Sequence, residues 1–388
     1  MNAKTLALCA ATTCMVAAIL GACIRSEAAG AVTWNPTAAA AYLDQRETWW
    51  MGWSLSQRDH ETFCVSCHTA LPYALSRAAL RGALADHTPS VNERRLLENV
   101  TKRVRLRADA GPYYGDKTSG DHKTAQSRGT EAVINALILA VHDAETGRLS
   151  DDARAAFDEM WAQQKTTGDD KGAWSWLDFD LRPWEARESS YYGAALAAAA
   201  VGTAPESYRS TPAIQDHLMQ LREYLDRDYA TQSLLNRTVL LWASTKLPGL
   251  VTPERRTSLV TEILDDQRGD GGWSLASLNR TWKGSTLRSY ARSWIRADGK
   301  LVDTKSDGYA TGLVTLTLQE SGLTRENVQV SRGLLWLERN QNTSEGSWSA
   351  DSLNVQRPPA SNVGRFMSDA ATAYAVLALT EANTHSAR

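Results

Sequence analysis

Three copies of the pattern G-x-W-S recur along the chain, at Gly172–Ser175, Gly271–Ser274 and Gly346–Ser349. Each follows a helical run ending in glutamine: Gln163-Gln164, Gln267 and Gln341. Gly52–Leu55, after Gln45, is a weaker copy, and Gly111-Pro112-Tyr113 has tyrosine where the others have tryptophan. A unit repeated in this way cannot bury its apolar face alone, so the fold must stack such units. The 14 tryptophans against 4 phenylalanines suit a repeated structural role for indole rings.

The helices around these markers come in pairs. The first of each pair is amphipathic: Leu96, Leu97, Val100 and Val104 mark one face of one, and Leu259, Val260, Ile263 and Leu264 mark one face of another. Such spacing puts a single stripe on the core. The second of each pair is small and apolar all round, as in 130–141, 190–201, 309–318 and 370–379, which predicts burial on every side. Six pairs follow: 36–52 with 68–84, 90–108 with 128–142, 151–165 with 189–201, 213–228 with 232–245, 253–267 with 306–320, and 325–340 with 368–381. Pro253 and the Asp151-Asp152 pair are start signals, and Thr324 with Asn327 is a looser one. Six hairpins with amphipathic outer and apolar inner helices close into an all-α (α/α)6 toroid, one domain over 36–382. An open solenoid is the alternative, but its exposed inner helices would carry more polar residues.

The run Gln267–Trp273, Q-x-x-D-G-G-W, with the related runs ending at Trp174 and Trp348, resembles the QW repeat of the squalene–hopene cyclases. That family shares the (α/α)6 toroid with the protein prenyltransferases. The resemblance implies that Gln267, Trp273, Gln341 and Trp348 are structural, tying outer helices at their ends. The catalytic D-x-D-D of the cyclases has no counterpart. Asp178-Phe179-Asp180 lacks a following acid, and the acidic run 265–270 overlaps the repeat and reads as a turn. The zinc ligands of the prenyltransferases have no match either. The resemblance therefore implies the fold and leaves the reaction open.

Residues 1–28 read as a signal peptide, with Lys4 before an apolar stretch, Leu6–Leu20, that is too short for a membrane span. Ordinary cleavage near Ala28 competes with a lipobox-like Leu20-Gly21-Ala22-Cys23, so a membrane anchor is expected only if Cys23 is lipidated. Either way the mature chain is exported, in a bacterium to the periplasm. Cys9, Cys14 and Cys23 lie in the signal, leaving Cys64 and Cys67 as the internal thiols. The net charge of −2 gives no nucleic-acid footprint.

Those two thiols belong to Cys64-Val65-Ser66-Cys67-His68, C-x-x-C-H, the attachment pattern for a c-type haem. Two thiols add to the haem vinyl groups and the following imidazole binds iron from the proximal side. One helical turn between the thiols is expected to span the vinyl groups. A redox dithiol or a chance pentapeptide are the alternatives. One covalent haem c is predicted at the rim where outer helices pass to inner ones. The long loops 109–127, 166–188, 268–305 and 342–367 gather at this same end and make a pocket there.

The sixth iron ligand, if there is one, is expected from Met367, which precedes the last inner helix, a ring neighbour of the first. His122, before the second inner helix, is the alternative, followed by His60 and Met51; an open five-coordinate iron is a further one. Arg128 and Arg365 are expected to bind the haem propionates. Glu131, Glu185, Arg187, Glu188 and Asp307 lie at the same rim, as helix caps or as acid–base groups. Trp174, Trp176 and Trp184 either wall the pocket or pack the repeats. His142 and His217 read as structural, and His87 and His385 as solvated.

The combination resembles exported bacterial cyclase-like proteins with a single C-x-x-C-H near the N-terminus. The expected function is electron transfer or haem-dependent redox chemistry on a small or apolar compound in the ring cavity, with an unidentified redox partner protein. A non-catalytic binding or scaffold module and a terpenoid-cyclase-type enzyme are the rivals.

Overall fold

The computed structural model describes residues 34–280 and 294–386. The expected signal peptide, Cys23 and part of the 268–305 loop lie outside them. The described residues from Asn35 onward form one unit. Its long helices are α1 (Pro36–Gly52), α2 (Ala70–Ala83), α3 (Val91–Arg105), α4 (Lys123–Ala144), α5 (Asp151–Ala162), α6 (Ser189–Thr203), α7 (Gln215–Asp228), α8 (Leu234–Lys246), α9 (Pro253–Asp265), α10 (Gly308–Glu320), α11 (Val328–Asn340) and α12 (Phe366–Ser386). Between α1 and α2 a small antiparallel hairpin joins β1 (Gln57–Arg58) to β2 (Thr62–Phe63).

The even-numbered helices form a closed ring. Each touches the next, from α2 through α4, α6, α8 and α10 to α12, and α12 packs back on α2. The odd-numbered helices lie outside: α1, α3 and α11 pack on their own inner partners, and α5, α7 and α9 pack on the preceding inner helices α4, α6 and α8. The fold is an all-α (α/α)6 toroid, and the six expected pairs are its six hairpins. The inner helices are apolar because every side is covered: Tyr191 to Val201 of α6 and Gly308 to Gln319 of α10 are buried without a break. The outer helices bury one stripe, such as Leu259 and Ile263 of α9. Side-chain caps start many of them. Ser90 and Glu93 form a capping box on α3, and Ser150, Thr252 and Asn327 cap α5, α9 and α11. Among the described residues no helix is long and apolar enough to cross a membrane.

The repeated tetrapeptides join neighbouring outer helices. Gln164 Nε2 donates to Gly172 O in its own turn and to His217 O at the start of α7. Gln267 does the same with Gly271 O and Gln329 O of α11. Gln341 reaches Gly346 O and Asn35 O, the N-cap of α1, which carries the outer layer across the ring closure. The indoles hold each turn from within: Trp174, Trp273 and Trp348, all fully buried, donate to Met160 O, Ile263 O and Leu337 O. The glycine of the repeat has two reasons to be glycine. Gly346 has φ 79°, and a Cβ there would lie 2.2 Å from the Ala38 carbonyl of α1.

The weaker copy at Gly52 departs from this pattern. Trp53 stacks on Trp49 at 5.0 Å between centroids and makes no such tie. A Trp273→Ala variant removes a fully buried indole and strands the Ile263 carbonyl. A loss of about 3–5 kcal/mol is expected in chemical denaturation, against a smaller loss for the same change at half-buried Trp336.

Candidate functional site

The C-x-x-C-H stretch follows β2 and is not helical, which corrects the expectation of a helical turn between the thiols. Backbone pairing fixes its start, where Cys64 N donates to Ser56 O at 2.8 Å. Ser66 fixes its end. The Ser66 hydroxyl accepts from the N–H groups of Thr69 and Ala70, and its carbonyl accepts from Leu71 N, so Ser66 caps α2 from inside the motif. Trp50 Nε1 donates to Cys64 O at 2.6 Å.

The motif opens on a cavity at the end of the ring where the inner helices begin. With its mouth, the cavity holds about 1090 Å³ free of protein atoms. Cys64, Cys67 and His68 form one side. Trp50, Trp53, Tyr113, Tyr114, Leu177, Leu181, Trp184, Phe366 and Met367 supply most of the rest, with Arg182, Glu185 and Arg357 as the charged groups. Two loops meet over it: Arg182 N donates to Asn354 Oδ1, and Asn354 Nδ2 donates to Arg182 O at 2.7 Å. Trp184 is pinned by bonds from its indole to Tyr309 and from Trp176 to its carbonyl.

His68 is held on several sides. Its ring stacks on Phe366 with centroids 3.7 Å apart and meets Trp50 edge-on at 5.0 Å. Nδ1 lies 2.8 Å from Thr69 Oγ1, and the Thr69 hydroxyl donates to Asp369 Oδ2 at 2.7 Å. Asp369 also accepts from Arg46 Nε at 2.7 Å and NH2 at 3.0 Å and from Tyr42 OH at 2.9 Å. Burial raises the Asp369 carboxyl above its ordinary range, while the Arg46 fork and the two hydroxyl donors oppose that rise. The bidentate fork selects the anion. With its proton committed to an anion, the Thr69 oxygen must accept from Nδ1. Nδ1 therefore carries the ring hydrogen and Nε2 the lone pair. Burial, with Arg46 adding, pushes the imidazole pKa down to about 3, so the ring is neutral.

These residues fit a covalent haem. Two free, buried thiols and an imidazole with a fixed Nε2 lone pair line one largely apolar cavity that also holds two arginines. Burial pushes the Cys64 thiol up to about 12 and raises Cys67 as well. A redox dithiol would need the opposite shift. Among the described residues no three His, Cys, Asp or Glu side chains converge on a metal position.

Of the expected site residues, the structure brings together Cys64, Cys67, His68 and Met367. It also brings Trp184 and Glu185 to that cavity, and it places His122, Arg128 and Arg365 elsewhere. His122 has a left-handed backbone, φ 64°, which turns it into a separate polar cleft with Gln126, Arg187 and Glu188. Arg128 lies well inside α4, because that helix begins at Lys123 rather than at 128. It donates to Ala110 O beside the Arg103–Glu131 pair. Arg365 pairs with Glu345 at 3.2 Å. Arg182 and Arg357 stand at the cavity instead. Asp307 caps α10, and His217 bonds Gln164, both as structural groups. The sequence signal that could have found Arg182 is its place next to Trp184, already marked as a wall candidate.

No family model matches the chain, and no curated protein matches its sequence. A solved structure of a glycosidase is similar over 89% of this chain and 97% of its own, at 12% identity and a TM-score of 0.48. At that level the likeness says nothing of reaction or substrate.

Behind the site, Glu47 of α1 is fully buried and neither of its carboxyl oxygens has a hydrogen-bond partner. Burial pushes its pKa up to about 8, with Asp369 and Asp44 adding and Arg95 and Arg46 opposing. A raised folded-state pKa gives stability that is complete below the ordinary value near 4.5 and lost as pH rises through about 8. Glu47→Gln removes this loss. The variant should match the wild type at pH 4 and exceed it by a few kcal/mol above pH 8, since each pH unit between those two pKa values is worth on the order of 1.4 kcal/mol. Parallel stability curves for the two proteins would contradict this.

Proposed function

We propose that the chain is an exported c-type haem protein on a cyclase-like toroid. Cys64 and Cys67 hold one haem covalently, and His68 Nε2 is the proximal ligand. The observation that carries the reading is the convergence of both thiols and an imidazole of fixed tautomer on one apolar cavity. When bound, the haem supplies one-electron redox chemistry. The chain's own residues then have separate tasks. Thr69 and Phe366 orient the imidazole. The tryptophan and tyrosine walls exclude water, which shifts a redox potential. Arg182 and Arg357 are the cations placed for the propionates, and Met367 is the candidate sixth ligand.

The function is electron transfer, with a redox partner protein, or oxidation–reduction of a small apolar compound admitted to the cavity. The protein works in the periplasm, on the membrane only if Cys23 is lipidated, and without nucleic acid. The Gln–Trp ties between outer helices are what a relationship to the squalene–hopene cyclases would entail.

One observation favours a second reading, a cyclase-type proton transfer. Glu185 is the carboxyl among the cavity-lining residues, and burial pushes it up to about 7, with Lys123 opposing.

The deciding experiment is expression with the c-type maturation machinery, followed by a reduced pyridine haemochrome spectrum. One covalent haem per chain is expected, lost in the Cys64→Ala, Cys67→Ala double variant. Correctly exported protein without haem would overturn the reading and turn attention to Glu185→Gln and turnover of a polyprenyl substrate. For the sixth ligand, Met367→Ala should convert a low-spin spectrum to high-spin; a spectrum that stays low-spin removes Met367.

A further inference from the structure

We infer that Thr69 and Asp369 form a relay that sets the electron-donating strength of His68, and with it the balance between oxidised and reduced iron. The inference rests on the haem reading of the preceding subsection. The start of α2 is capped in an unusual way. Thr69 occupies the N-cap of α2, where a threonine hydroxyl ordinarily accepts from the first turn, yet it makes no such bond. Ser66 does that work instead. The Thr69 hydroxyl is left to join His68 Nδ1, at 2.8 Å, to Asp369 Oδ2, at 2.7 Å.

Asp369 is likewise in the first turn of its helix, and its side chain is aimed across the ring closure at Thr69 rather than at its own backbone. Arg46 grips both of its oxygens and keeps them pointed there. The result is a chain of oriented donors, N–H to O–H to carboxylate, in a site where Thr69 and Asp369 are 3% and 1% exposed. Such chains polarise their members, and a carboxylate behind a ligating histidine raises the basicity of the nitrogen on the metal. A more basic Nε2 donates more charge to iron and favours the oxidised state. Thr69 and Asp369 are positioning residues in this sense, since neither touches the iron.

A purely structural role for the same bonds predicts a different result, and Thr69→Val separates the two. Valine keeps the shape of threonine and leaves the Arg46–Asp369 pair intact. The test uses the full-length, matured protein, with haem content and midpoint potential measured by spectroelectrochemical titration. Wild type and Thr69→Val should load the same haem. In the variant the reduced state should gain about tenfold over the oxidised state, an upward shift of about 59 mV for one electron. Thr69→Ser keeps the hydroxyl and should keep the wild-type potential. Thr69→Ala should shift as the valine variant does, and decides the matter if the valine variant does not load haem. Haem-loaded Thr69→Val and Thr69→Ala at the wild-type potential would overturn the relay while leaving the haem reading intact. Wild-type protein without covalent haem would overturn the haem reading, and the relay with it.

Discussion

The carboxylate of Asp369 receives four hydrogen bonds from three residues, and the closure of the ring runs through it. Arg46 and Tyr42 reach it from α1, and Thr69 reaches it from the start of α2. Arg46 also donates to the side chain and carbonyl of Asn362, which draws in the loop before α12. A buried pair of this kind adds little to stability compared with apolar residues of the same volume. Removing one partner is costly, on the order of 3–5 kcal/mol, because the other charge is then stranded. The pair therefore makes one seating of the last hairpin on the first far better than any other. His68, Phe366 and Met367 lie on the two sides of that seam, so the same seating aligns the cavity wall.

Three of the outer-helix seams use a different device. Between the outer helices α5 and α7, α9 and α11, and α11 and α1, a glutamine amide spans the gap with two donated bonds. The tryptophan of each turn fills the space behind it. These ties use neutral groups, and their cost of burial is met because every donor finds a carbonyl. At the closing seam the buried Arg46–Asp369 pair sits beside the cavity, where a fixed anion has an effect on a neighbouring imidazole that an amide would not.

The ring could be read from the sequence because its two layers differ in a property that sequence records directly. Helices buried on one stripe and helices buried all round have different apolar patterns, and α1 falls on 36–52 as expected, while the others shift by a few residues. The motif residues and Met367 were also legible, since being next to an inner-helix start in a closed ring fixes their neighbourhood. His122 satisfied the same rule and still points elsewhere, because one left-handed residue redirects the chain. Arg128 was misplaced by the five residues that α4 extends beyond its apolar run. Arg182 and Arg357 come from loops without periodicity, and their approach to the cavity depends on the Arg182–Asn354 bonds between segments 172 residues apart. The Thr69–Asp369 contact, across 300 residues, has no local signature at all.

The partners of Asp369 lie 300 to 327 residues before it in the chain. A ribosome delivers the first hairpin long before the residues that seal it. Through most of synthesis α2 has one apolar flank uncovered and Arg46 has no anion. Each added hairpin lengthens an open horseshoe, and none can substitute for the last one, because only α12 carries the matching carboxylate. Contacts so distant in sequence form late and slowly. Loss of the final two dozen residues would not trim this protein at its edge. It would leave five hairpins and the outer helix of the sixth, with the ring unclosed and the cavity without the wall that Phe366 and Met367 supply.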